Sequence, residues 1–165
     1  MSREILFRAK AINRDPDRYY KTNYKNGDWV YGFVSTMYDD MYDDSFSNLP
    51  AEMNNTDGVR GIDVDRRTIG EYTGLTDKNG TKIFEGDVLH FGDKNYLVFW
   101  NDECFQWQMR IRKDGFSFPV YSGQDTGCPV ECITLSWVAA EIPILGTMST
   151  EIVGNIYDNP ELIEE

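Results

Sequence analysis

Three cysteines and a single histidine are the first residues in this chain that could do chemistry. Cys128 and Cys132 stand four apart, and Cys104 and His90 would complete a four-ligand zinc set. Structural zinc usually draws on two short-spaced ligand pairs, and only one such pair is present. The competing reading puts Cys104 in or beside a strand and the other two cysteines around a loop at Pro129. It is the better one, so neither a metal nor another cofactor is expected. An odd number of cysteines also fits a reducing compartment better than a disulfide framework.

The carboxylates are more numerous. Asn55-Thr56-Asp57-Gly58 and Asp77-Lys78-Asn79-Gly80 resemble the middle of a calcium-binding loop. Aligning their glycines puts Met53 or Leu75 at the first ligand position and Val64 or Gly86 at the bidentate one, so both read as turns. Asp39, Asp40, Asp43 and Asp44 could hold Mg²⁺ if rigid elements brought them together. They are adjacent in a stretch without periodicity, which reads as a solvated acidic loop and a candidate partner-binding surface.

Nucleophilic catalysis lacks its parts. His90 sits on an apolar strand, where a half-buried structural role is the default, and no nucleophile elbow, phosphate loop or dinucleotide fingerprint occurs. Paired carboxylates converging from distant positions are the one catalytic device left open. Arg110, Arg112 and Lys113, with Phe116 and Phe118 across a turn, combine cations and stacking surfaces on a hairpin, as single-stranded nucleic-acid binders do. A solvated strand face gives the same pattern with no ligand.

The elements that must carry these residues are strands. Aromatic residues make up 14% of the 165, which suits pleated, half-buried surfaces. Alternation predicts a strand at Ile5–Lys10 and another at Trp29–Val34, the latter following an Asn26-Gly27 turn. Ser35 to Gly61 shows no clean period and reads as a long, partly mobile loop linking two lobes. Beyond it, short strands are closed by Gly, Asn or Asp. They are predicted at Ile62–Asp65, Val88–Phe91, Tyr96–Trp100, Cys104–Arg112, Phe116–Tyr121 and Glu151–Tyr157; Ile83 and Phe84 resume the chain after the Thr76–Lys82 turn, Val130–Val138 is a strand or a short helix with strand preferred, and Asp158–Glu161 is a short helical start. Asn79-Gly80 is expected to supply both left-handed positions of a tight hairpin. On Cys104–Arg112, Phe105, Trp107, Met109 and Ile111 fall on one face and Gln106, Gln108, Arg110 and Arg112 on the other.

The expected fold class is mostly β. Short antiparallel strands would form a small SH3-like or partly open barrel in the C-terminal part (62–165). A smaller N-terminal β-rich lobe (1–61) would carry the acidic loop.

Two stretches carry a family resemblance. Ile69-Gly70-Glu71-Tyr72-Thr73-Gly74-Leu75-Thr76-Asp77-Lys78-Asn79-Gly80, followed by Lys82-Ile83-Phe84-Glu85-Gly86-Asp87, resembles the central signature of the YopX family. The ending Val153-Gly154-Asn155-Ile156-Tyr157-Asp158-Asn159-Pro160-Glu161-Leu162 resembles the family's close, and Arg3-Glu4-Ile5-Leu6-Phe7-Arg8-Ala9 its start. Lys10 departs from the acidic residue usual near that point, and Asn13–Gly61 matches no part of the pattern. The resemblance implies a phage- or prophage-encoded protein with a β-rich fold and a small C-terminal barrel, for which oligomeric assembly would be unsurprising. It assigns no catalytic residues.

Charge narrows the partners. The formal net charge is −12, and a field of that sign repels phosphate backbones while favouring solubility and basic partners. No apolar run reaches the roughly 18–20 residues of a membrane helix, and Met1–Glu4 leads into alternation, not an apolar signal core. The expectation is a cytoplasmic, non-catalytic accessory protein that acts in a bacterial host through a protein partner or self-association. The alternatives are an acidic DNA mimic that inhibits a host protein, a nucleic-acid module using the Arg110–Phe118 hairpin, and a carboxylate enzyme of unfamiliar type.

Overall fold

The computed structural model describes residues 4–12, 24–37, 51–103, 105–111, 132–135 and 150–163. The elements described in full are strands and 3-10 turns, and Leu135 alone is helical. Eleven strands form two antiparallel sheets, so the expected mostly-β class is what is observed. The chain divides into two compact units, Met1–Tyr72 and Thr73–Glu165.

The first unit is built on β1 (Phe7–Lys10), β2 (Trp29–Met37), β3 (Ala51–Asn55) and β4 (Ile62–Val64). They belong to a six-stranded sheet of order β4-β3-β2-β1-β5-β6. Its strands β5 (Gly70–Thr76) and β6 (Lys82–Phe84) lead into the second unit, the boundary falling inside β5. Ala9, Val30, Ala51, Met53, Ile62 and Val64 form the core of one face. Each large apolar side chain buried there contributes about 1.5–3 kcal/mol.

β3 corrects the expectation of a continuous loop from Ser35 to Gly61. Ala51, Met53 and Asn55 are buried in alternation with Glu52 and Asn54, and the strand pairs on both sides, with β2 and β4. Ala, Glu and Asn have low β propensity, so the strand exists because tertiary pairing overrides local preference. Gly32 shows how tight that pairing is. A Cβ there would stand 1.9 Å from the carbonyl oxygen of Asn54, so only hydrogen fits.

The second unit holds β7 (Asp87–Phe91), β8 (Lys94–Asn101), β9 (Gln106–Arg110), β10 (Cys132–Thr134) and β11 (Glu151–Asn155). Their order is β10-β9-β8-β7-β11, an open sheet. β10 and β11 are its two edges, and it does not close on itself into a barrel. One face buries Leu89, Tyr96, Val98, Trp107, Met109 and Leu135 with Ile83 of β6. The other packs Val88 and Leu97 against Ile163, just past the 3-10 turn Pro160–Leu162 at the expected helical start.

The hairpin joining β5 to β6 differs in kind from the expected two-residue turn. Gly80 has φ 80°, but Phe105 is the only non-glycine at positive φ among the described residues, so Asn79 is not left-handed. The Gly80 N–H donates to the Asp77 carbonyl (3.0 Å), and the Asp77 N–H donates to the Thr81 carbonyl (2.9 Å). This is a type I turn closed by a left-handed glycine bulge. The Asp77 carboxylate organises it, with Oδ1 accepting from the N–H groups of Asn79 (2.8 Å) and Thr81 (2.9 Å). Oδ2 accepts from the N–H of Ile152 on β11 (3.3 Å), and Lys78 forms an ion pair with Glu151 beside it. The hairpin is therefore fastened to the closing strand. The oxygens that resembled a calcium loop are occupied by backbone donors.

Candidate functional site

Of the residues proposed to bind zinc, only His90 and Cys132 are described, and they lie apart. His90 lies on β7 and is exposed, not half-buried, with Nδ1 3.0 Å from Oδ1 of Asn95. Cys132 begins β10, and β8 and β9 run between the two strands. Three interstrand spacings separate them by about 14 Å, too far for one zinc ion to bind both. Cys104 and Cys128 lie outside the described residues, as do Asp39, Asp40, Asp43, Asp44, Arg112, Lys113, Phe116 and Phe118. Among the described residues, no three His, Cys, Asp or Glu side chains come together as a ligand set.

Arg110, the described member of the basic cluster, closes β9. Its guanidinium carbon lies 4.5 Å from the centroid of the Phe99 ring on β8, an arrangement worth about 0.5–2 kcal/mol. Its Nε is buried with no hydrogen-bond acceptor among the described residues. Gln108, expected on a solvated face, is buried, and its Oε1 accepts a hydrogen bond from Nδ2 of Asn101 (2.9 Å). On this face Gln108 is covered while Arg110 is half-buried.

The tip of the β8–β9 hairpin carries the least expected feature. Trp100 and Trp107 stand opposite each other in register, their rings edge-to-face with centroids 5.1 Å apart. Such a pair adds about 0.5–1.5 kcal/mol beyond its burial. Asn101 shapes the turn, its Oδ1 accepting from the N–H of Glu103 (2.9 Å). Phe105 then enters β9 with φ 50° and a side chain 80% exposed. A left-handed residue with a Cβ costs about 1–2 kcal/mol, and an exposed phenyl ring recovers none of it by burial. Alternation from Trp107 and Met109 had placed Phe105 on the core face. The reversal at position 105 turns it outward. The one sequence signal was its place close behind the Asn101-Asp102-Glu103 run.

Chemically this tip is an apolar knob on a braced hairpin. Its turn also carries the exposed carboxylates of Asp102 and Glu103, and among the described residues no metal-ligand set forms there. Beneath it, Nε1 of Trp107 is buried with no acceptor among the described residues.

A family model described as YopX protein matches residues 20–164. No curated protein matches the chain. Among the described residues, no helix is long and apolar enough to cross a membrane.

Proposed function

The chain belongs to the YopX family, and from that premise we propose that it works by binding, not by catalysis, as an accessory protein of phage or prophage origin in the bacterial cytoplasm. The hairpin tip at Phe105 docks a protein partner, either a host or phage protein or a second copy of the chain. One observation carries this reading. A phenylalanine is held outward at a backbone angle that ordinarily favours glycine. Backbone strain of this kind collects where a surface is shaped for use. Binding hot spots are buried anchors, often aromatic, that fill a partner's pocket. The Trp100–Trp107 pair gives the knob a stiff base.

The test compares wild type, Phe105→Ala and Phe105→Gly in two measurements. Affinity capture from infected cells, quantified by mass spectrometry, should show a protein retained by wild type and depleted at least tenfold by either substitution, as expected for a hot-spot loss of about 1.4 kcal/mol or more. Light scattering of the purified chains reports whether that partner is the chain itself. Unchanged capture and unchanged oligomeric state would remove the tip from the reading.

A further inference from the structure

The hairpin tip carries charge as well as an apolar ring, and the charge narrows what it can dock. Asp102 and Glu103 are exposed and lie just ahead of Phe105 in the chain. Neither carboxylate has an ion-pair partner among the described residues. The two cations of the hairpin strands are placed elsewhere. The Arg110 guanidinium rests on the Phe99 ring, and Lys94 begins β8 at the end away from the tip.

Asn101 holds the acidic turn in shape. Its Oδ1 accepts from the N–H of Glu103 (2.9 Å), and its Nδ2 donates to Oε1 of Gln108 (2.9 Å). Gln108 is buried, so the turn is tied to an anchor inside the hairpin. The edge-to-face Trp100–Trp107 pair braces the same end. The tip therefore presents one outward phenyl ring and two carboxylates on a preorganised support. Preorganisation lowers the ordering cost of binding. The rest of the unit reinforces the sign of the charge. Residues 73–165 carry six Lys and Arg against fifteen Asp and Glu.

We infer that the partner docked by Phe105 is a basic protein, with an apolar pocket for the ring and Lys or Arg side chains on the pocket's rim facing Asp102 and Glu103. This rests on the docking role proposed above and names the partner's chemistry. The two kinds of group divide the work. Burial of the ring supplies affinity and slows dissociation. Exposed rim charges add little net affinity, but they steer the encounter and exclude partners of the wrong sign. A second copy of the chain is a poor occupant, because it carries the same net charge of −12 and like charges oppose its approach. Phosphate backbones are opposed for the same reason.

The test places the photo-crosslinker p-benzoylphenylalanine at position 105 of the full chain in infected cells. Irradiation joins the ring to what it touches, and mass spectrometry identifies the joined peptide. The expected product is a different protein, with Lys or Arg around the crosslinked apolar residues. That protein is then purified, and its binding to the unmodified chain is followed by surface plasmon resonance. Association should slow about tenfold between roughly 0.05 M and roughly 0.5 M salt. Asp102→Asn combined with Glu103→Gln should slow association about threefold or more and flatten the salt dependence, with dissociation little changed. Asp102→Lys combined with Glu103→Lys should slow it further. Phe105→Ala should instead speed dissociation about tenfold. Circular dichroism melting checks that each variant folds.

The failures separate. No crosslinked protein, or a partner that binds Phe105→Ala as it binds wild type, would overturn the docking role and this inference with it. A crosslink between two copies of the chain, or to nucleic acid, would overturn the inference and leave the tip as a contact site. So would a partner that depends on Phe105 but associates equally fast with the neutralised pair.

Discussion

Asp77 concentrates several tasks in one side chain. Burial alone would push its carboxyl up, but the N–H groups of Thr81, Ile152 and Asn79, with the Asn79 side chain, outweigh that and hold it below the usual carboxylate value. Asp77→Ala removes acceptors from three backbone donors and should cost about 2–3 kcal/mol, read from urea unfolding at neutral pH. A depressed carboxyl stabilises the fold above its unfolded value near 3.9 and ceases to do so as pH falls through the lower folded value. The gap between wild type and Asp77→Ala should therefore narrow below about pH 4. Asp65 follows the same sign, its carboxyl lowered chiefly by the hydrogen bond from the Arg67 side chain. Phe105 gives the opposite kind of test. Phe105→Gly relieves a left-handed strain of about 1–2 kcal/mol and gives back up to about 1 in chain entropy. Its melting temperature should equal or exceed that of wild type even as partner capture falls, a trade of function against stability.

At the scale of elements, the β2–β3 pair is the tightest join in the first unit. Gly32 sits where any Cβ would overlap the Asn54 carbonyl, which is backbone and cannot swing aside. Gly32→Ala should cost about 3 kcal/mol or more, at or beyond the upper end for overpacking. Hydrogen exchange should show the loss first in β3, which pairs with β2 along its whole length. The same strand pair shows why β3 escaped prediction. Its alternation of Ala51, Met53 and Asn55 with Glu52 and Asn54 is regular, but none of the five is β-branched or aromatic. Strands built from Val, Leu, Phe, Tyr and Trp, such as β7 and β8, were legible from the residues alone because period and propensity agree there.

For the whole molecule, charge is the dominant variable. A net charge of −12 works against compaction by self-repulsion. Raising salt from about 0.01 M to about 1 M shortens the screening length from about 30 Å to about 3 Å. The melting temperature should rise by a few degrees across that range, consistent with a gain near 1 kcal/mol for a chain of this size. A melting temperature that fell with salt would mean that attractive ion pairs, such as Lys78–Glu151, outweigh the repulsion.

The residues alone determined the β class, most strand positions, the backbone tasks of Gly80 and Gly86, and a family resemblance whose central and closing stretches lie within the match over residues 20–164. These are local properties, because a period of two and a turn residue act within a few positions. Tertiary structure alone decided that Ala51–Asn55 is an interior strand, that Gln108 is covered, and that Phe105 points outward. It also decided that Arg8 and Lys10 stand beside the aromatic row of β2. Alternation states that a strand has two faces. Which face is buried, and what lies across it, depends on partners distant in the chain and on a register that a slip of one residue would invert.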